Sequence, residues 1–307
     1  MLVYSIKRIL VAIPVLLILV IVSYLVMVLA PGGPTSSERT LPAAVIANIE
    51  ARYGLDQPLW KQIYDYVENV VLRFDFGPSF LRRDLSVNDM IAQGFPVTLT
   101  YGALSFVLAV AVGVPLGVVA AVRQNTWLDY LAVGFSVGAQ VLPNFVMAPI
   151  LVVIFTVWLG WLPAGGWNGG APENLVLPVI ALGTSFMASI ARLTRSSMLE
   201  TMNSGFIRTA RAKGMPMRKV VLRHALKPAM LPVISYLGPT FVGMITGSVV
   251  IDYFFSTGGI GGFLVNAALN RDYSTMMGIT ILIGALTILF NLLVDLTYAW
   301  IDPRIRY

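Results

Sequence analysis

The chain has 307 residues, 57% hydrophobic and only 12% charged, with a mean hydropathy of +0.79 and a formal net charge of +6. Soluble domains average roughly 25% charged residues, so this chain cannot cover a water-facing surface and a bilayer is its main solvent. With no cysteine and one histidine, His224, disulfides, thiolate sites and His-rich metal sites are excluded, and the positive charge is read by its location rather than as a nucleic-acid footprint.

A crossing helix needs about 20 apolar residues. Six stretches qualify, near Ile9–Ala30, Val97–Val122, Leu131–Leu159, Leu175–Ile190, Ala229–Ile251 and Met276–Ala299. The first is too long for the h-region of a cleaved signal peptide and no A-x-A site closes it. The third is long, and Pro143 and Pro149 are expected to bend it. The fold class expected is therefore an all-α integral membrane protein with six transmembrane helices.

Between the first two stretches lies a charge-balanced, amphipathic segment, 31–96, with six basic and eight acidic residues. Leu41–Tyr53 and Leu59–Phe74 read as helices separated by Gly54 and Pro58, followed by a turn at DFGPSF, Asp75 to Phe80. This external helical segment is either a docking surface for an outside partner or a packing extension. The loop LPAGGWNGGAPEN, Leu162 to Asn174, carries Trp167 beside Trp161, at the depth where interfacial tryptophans are expected. GGIGG, Gly258 to Gly262, lacks the spacing of a dinucleotide fingerprint and reads as a turn entering a short helix, Phe263–Leu269.

Lysine and arginine set the orientation. Along the chain they number two before the first stretch, then six, one, none, nine and one in successive connections, and two after the last. With both termini inside, cytoplasmic segments hold fourteen and external ones seven, six of those in the long 31–96 segment, where the positive-inside rule is weak. Both termini are expected to be cytoplasmic. The chain then divides into 1–30, an inner end and first helix; 31–96, external; 97–300, the membrane core; and 301–307, an inner tail.

The densest cationic stretch, RTARAKGMPMRKVVLRHALKPAMLP from Arg208 to Pro232, falls between the fourth and fifth crossings and holds seven basic residues. A helix is expected from Met198 to Lys213, stopped at Gly214, with a second starting at Pro216. In that second helix Val220, Val221 and the ring of His224 form one apolar line, and Leu222, Ala225 and Leu226 another. A membrane anchor explains the charge but not the fixed turn, and a DNA-binding unit clamped between two crossings could reach DNA only awkwardly. A rigid docking element for a cytoplasmic protein explains both.

FIRTARAKGMPMRKVVLRHALKP resembles the cytoplasmic EAA loop of binding-protein-dependent ABC import permeases. Counting back from Gly214 places Arg208, Thr209 and Ala210 on E-A-A, where Ala210 and Gly214 match. The wording RTARAKG is that of the peptide branch, and the missing acid removes any salt bridge assigned to the Glu elsewhere. FDFGPSF, LPAGGWNGGA, ARLTRSSMLE, GGIGGFLVNAALNRDYS and IDPRIRY extend the likeness over essentially the whole chain, to the B-type permease subunits of bacterial oligopeptide importers.

That resemblance implies a multi-pass protein of the bacterial cytoplasmic (inner) membrane. It would be paired with a second, similar permease, two cytoplasmic ATPases that hold ATP and Mg, and an external peptide-binding protein. The chain has no G-x-x-x-x-G-K-[ST] and so is expected to bind no cofactor and catalyse nothing itself. The coupling loop, 198–228, would dock on an ATPase through Arg208, Thr209, Ala210, Arg211, Ala212, Lys213, Gly214 and Met215. Dipeptides, nickel complexes or another solute are alternative cargoes of the same machinery.

Polar residues within the stretches, Gln140, Asn144, Thr184, Ser185 and Asn291, are candidates for the translocation path or for interhelical hydrogen bonds. Gly113, Gly117, Gly134 and Gly138 are candidates for close helix packing. Asp295 is expected to pair with Arg192 or Arg195 at the same depth. A proton-coupled secondary transporter would need more ionisable groups at the midplane, and an intramembrane aspartyl protease would need a second aspartate.

Overall fold

A computed structural model of the chain describes residues 2–29, 54, 57–82 and 84–301. Among the described residues the regular structure is all helical, joined by turns and loops, with one isolated antiparallel bridge, Pro78 to Ser86. The expected helix Leu41–Tyr53 and the tail 302–307 lie outside them.

By packing the chain forms two units, 1–96 with 259–307, and 97–258. This division follows contacts, whereas the segments expected from sequence follow the side of the membrane. It places 259–300 with the N-terminal part rather than with the rest of the membrane core.

In the first unit, α1 (Leu2–Leu29) packs on α12 (Tyr273–Ile301), and α2 (Leu59–Arg73) lies against α1. Val20, Tyr24 and Met27 of α1, Val70 of α2 and Met277 and Ile281 of α12 form the core. The DFGPSF turn is held at several points. Ser79 Oγ donates to Asp272 at 2.5 Å and the Phe80 amide to the same carboxylate at 3.1 Å. Ser274 Oγ donates to the Pro78 carbonyl at 2.6 Å. Asp272, 3% exposed, also accepts from the Thr275 hydroxyl at 2.8 Å and the Thr275 amide at 3.3 Å, so one buried carboxylate caps α12 and clamps the turn. α11 begins at Ile260, inside GGIGG rather than after it: Gly258 takes φ +78°, Gly259 is the N-cap, and the helix runs Ile260–Leu269.

α3 (Val87–Val122) starts in the first unit and continues into the second. Its ten extra residues before the expected Val97 start come from reciprocal capping. The Ser86 hydroxyl donates to Asp89 at 2.6 Å, the Asp89 amide to Ser86 Oγ at 3.1 Å, and the Ser86 amide to Asp89 at 2.9 Å.

In the second unit, the expected third crossing is two helices. α4 (Trp127–Val141) and α5 (Asn144–Val152, extended by a π-turn Val153–Trp158) meet at 104°. Pro143 makes the break at the N-cap of α5, while Pro149 sits inside α5 without ending it. α6 (Pro172–Met202) is 31 residues long, against the sixteen or so of the short stretch expected at Leu175–Ile190, with Pro172 at its first turn. It is followed by α7 (Gly205–Ala212), α8 (Met217–Lys219), a π-turn (Val220–Ala225), α9 (Leu226–Gly247) and α10 (Val249–Phe254). Among the described residues five helices are long and apolar enough to cross a membrane, and six crossings result if the bent pair is one. The close packing expected of glycines holds at two of the four positions. A Cβ on Gly117 would stand 2.4 Å from the Ala191 carbonyl and one on Gly113 2.8 Å from that of Met187, so α3 presses on α6; Gly134 and Gly138 have nothing within 4 Å.

Candidate functional site

The cationic elbow is built on a small buried base. Met198 at the end of α6, Ile207 and Ala210 of α7, Val220, Val221 and Ala225 of the π-turn and Ala229 of α9 form one apolar cluster with Ala121 of α3. α7 is therefore pinned on one face, and its other residues face outward. Its end is a complete Schellman closure: the Gly214 amide donates to the Arg211 carbonyl at 2.9 Å and the Met215 amide to that of Ala210 at 3.4 Å, with Gly214 at φ +74°. Pro216 is the N-cap rather than the first residue of the next helix, its carbonyl accepting from the Lys219 and Val220 amides.

Of the eight expected docking residues, Arg208, Thr209, Arg211, Ala212, Lys213 and Gly214 are exposed. Ala210 is 6% exposed and packs inward, and Met215 is half-buried against the same cluster, so neither offers its side chain fully to a partner. Phe206 and Met217, 52% and 47% exposed, flank the cationic face and were not anticipated. The helix stop expected at Gly214 holds, but α6 ends earlier, at Met202, and a short turn through Asn203 and Ser204 starts α7. The second helix is not a free-standing arm, since it runs on into α9. Leu222, placed on an apolar line by the sequence, is 55% exposed.

No acid stands between Glu200 and Asp252 in the sequence. None of the elbow's seven arginines and lysines makes an ion pair among the described residues. Arg208 donates to the Asn203 carbonyl at 3.2 Å. The elbow is an uncompensated cationic surface on a fixed frame.

Inside the second unit, α6 carries a polar seam toward the broken pair. Ser185 Oγ donates to Asn144 Oδ1 at 3.0 Å and to the Ala139 carbonyl at 3.2 Å, and Gln140 Nε2 donates to Ser189 Oγ at 3.3 Å. Three of the five candidate path residues, Gln140, Asn144 and Ser185, thus meet around the Pro143 break. Thr184 does not join them: it is 6% exposed and its hydroxyl donates to the Ile180 carbonyl at 2.5 Å. Asn291 is exposed on α12, in the other unit.

Arg195 is engaged by Asp129, an acid in the first turn of α4 that hydropathy does not single out. Nε and Nη2 donate to the two carboxylate oxygens at 2.6 and 2.8 Å, and the Asn125 amide adds a third bond at 3.0 Å. Asp129 is 2% exposed. The side chain of Asp295 lies outside the described residues, and Arg192 makes no ion pair among them. A second unanticipated carboxylate, Asp252, is fully buried and accepts from Thr98 at 2.7 Å, Thr257 at 2.8 Å and Ser248 at 3.3 Å. Beside it, the Gly166 amide donates to the Phe255 carbonyl at 2.7 Å and Tyr101 meets Trp167 edge-on, which anchors the Gly-rich loop.

The chain matches relatives over its full length. It is 54% identical to the oligopeptide transport system permease protein OppB of Haemophilus influenzae and 56% to that of Escherichia coli K12, each over 100% of both chains. It is 42% identical to the dipeptide transport system permease protein DppB of Bacillus subtilis, over 99% of this chain and 97% of that one. Among solved structures it resembles inward-facing MetNI methionine ABC transporter, with a TM-score of 0.60 at 17% identity, covering 69% of this chain and 96% of that one. Residues 1–102 match the family described as "Binding-prot-dependent transport system membrane comp, N-term". Residues 113–307 match "Binding-protein-dependent transport system inner membrane component". The chain belongs to this family of binding-protein-dependent transport permeases and is a multi-pass inner-membrane protein of that kind.

Proposed function

We propose that the chain is the B-type permease subunit of an ATP-driven oligopeptide importer. The observation that carries this reading is identity of 54% and 56% to oligopeptide permeases over every residue of both chains, against 42% to a dipeptide permease. The permease does not hydrolyse nucleotide; ATP and Mg reside on two partner ATPases. A second permease completes the path, and an external binding protein delivers the peptide. Both termini are cytoplasmic, which puts the elbow on the ATPase side.

Physical chemistry supports this division of labour. A transporter subunit without a motor needs a rigid handle, and α7 is pinned by Ile207 and Ala210 while Arg208, Thr209, Arg211 and Lys213 are exposed, where acids or carbonyls of a partner can reach them. When the ATPases close, α7 carries α6 with it, and α6 is tied to the broken pair at Arg195 and at Ser185. Rocking between two packed arrangements then opens the path to one side or the other, a shift that needs only a few kcal/mol between states. The cationic elbow and the ionic tie have no evident use in a proton-coupled carrier, which works without ATPases.

The test is uptake of labelled peptides by cells lacking this gene and by the same cells complemented with it. Tetrapeptide uptake is expected to vanish and return, with dipeptide uptake little changed. Loss of dipeptide uptake alone would reassign the cargo.

A further inference from the structure

A cavity of about 130 Å³ opens between α3, α4 and α6, walled by Gly117, Ala120, Ala132, Ser136, Arg192 and Arg195 among others. It exists because Gly117 brings α3 against the α6 backbone while alanines and a serine leave the adjoining space unfilled. The wall is almost wholly apolar, yet two arginines one turn apart stand on it. Asp129 neutralises Arg195 with a bidentate bond. Arg192 is exposed and has no ion pair among the described residues, and no acid lines the cavity, so the site carries one uncompensated positive charge.

The cavity's depth is fixed by its walls. Gly117 and Ala120 lie in the last two turns of α3, just before exposed Arg123. Ala132 and Ser136 lie in the first three turns of α4, and Arg192 is ten residues before the end of α6. All three helix ends are those that lead to the Arg123 turn and the elbow. The slot is therefore at the level of one leaflet, and basic pockets between transmembrane helices on the cytoplasmic side suit anionic headgroups.

We propose that this slot is a binding site for an anionic phospholipid of the inner leaflet. Part of an acyl chain fills the apolar space and the phosphate meets Arg192, with Arg123 near the rim. The inference goes beyond the transport reading and uses it only to say which leaflet is meant.

The intact complex is purified in mild detergent, placed in nanodiscs of phosphatidylcholine with or without phosphatidylglycerol, re-extracted, and its retained phospholipid counted by native mass spectrometry. Wild-type complex is expected to retain phosphatidylglycerol in preference to phosphatidylcholine. Arg192→Gln is expected to lower that retention about fivefold, the equivalent of one surface cation, while Arg192→Lys keeps it. Ala132→Leu, which fills the slot without touching charge, is expected to lower retention of either lipid. Equal retention of the two lipids by the wild type overturns the proposal and needs no variant. So does a cross-link from Val137→Cys to the second permease, which would make the slot part of an interface between subunits.

Discussion

At the scale of single residues, the Asp129–Arg195 pair is the sharpest feature of the second unit. Removing one partner of a fully buried pair leaves an uncompensated charge and costs about 3–5 kcal/mol; here the Arg195 side chain is 26% exposed, so water offsets part of that cost. Asp129→Asn is therefore expected to reduce the yield of assembled complex and its melting temperature. A structural role alone stops there. If the pair also ties α6 to α4 during rocking, the surviving Asp129→Asn complex hydrolyses more ATP per peptide moved, a ratio independent of how much complex survives. An unchanged ratio removes the pair from coupling. Gly214 makes a separate case. At φ +74° a β-branched residue is strained by roughly 1–2 kcal/mol, and nothing within 4 Å would clash with its Cβ, so the effect is conformational rather than steric. Gly214→Val is expected to lower peptide uptake and stimulated ATPase activity about tenfold while Gly214→Asn, which tolerates the left-handed region, retains much of both. Of these features the sequence made Gly214 legible, because a Gly-x-Pro punctuation has a local meaning. Asp129, Asp252 and Asp272 were not: each is an acid near an apolar boundary, and what identifies it is a partner 66, 154 or 193 residues away.

At the scale of elements, most disagreements between expected and observed helices have local chemical causes. α3 starts ten residues early because Ser86 and Asp89 cap one another, and hydropathy does not register a cap. Ser86→Ala is expected to cost about 1 kcal/mol and to raise amide exchange through the first turn of α3 only, since the apolar body of the helix holds the rest. Asp272→Ala should cost more, because it strips the cap from α12 and two bonds from the turn at Ser79 and Phe80 together. Its readout is proteolysis of the intact complex, with new cleavage expected between Asp75 and Leu85. Pro143 was legible as a bend, but 104° was not, since the polar partners that receive the turned chain, Ser185 and Ser189, lie on another helix. The elbow followed the same pattern. Its stop at Gly214 was visible locally, whereas the inward aim of Ala210 depends on Val220 and Ala225 arriving from beyond the turn.

At the scale of the whole molecule, the number of crossings turns on the bent pair. Each limb of the bent pair has fifteen residues, about 22 Å at 1.5 Å per residue. Two such limbs turned through 104° have an end-to-end reach of about 28 Å, close to a hydrocarbon core of about 30 Å. A single bent crossing therefore fits, and with five straight ones it puts both termini on the same face as the elbow. A re-entrant hairpin of the same limbs would put the Arg123 turn and the loop at Trp161 on one side and the two termini on opposite sides. The charge distribution favours the crossing, with Arg123 and the nine cations of 192–227 together on one side and none in the loop at Trp161. The chain's lack of cysteine makes the distinction direct, because any introduced thiol is unique. Asn125→Cys and Lys213→Cys are expected to react with a membrane-impermeant maleimide only in inverted vesicles, and Trp161→Cys only in intact cells stripped of outer membrane. Labelling of Asn125→Cys and Trp161→Cys from the same side would establish the hairpin. It would then move either the N-terminus or the elbow out of the cytoplasm, and with it the ATPase-docking role of Arg208 to Lys213.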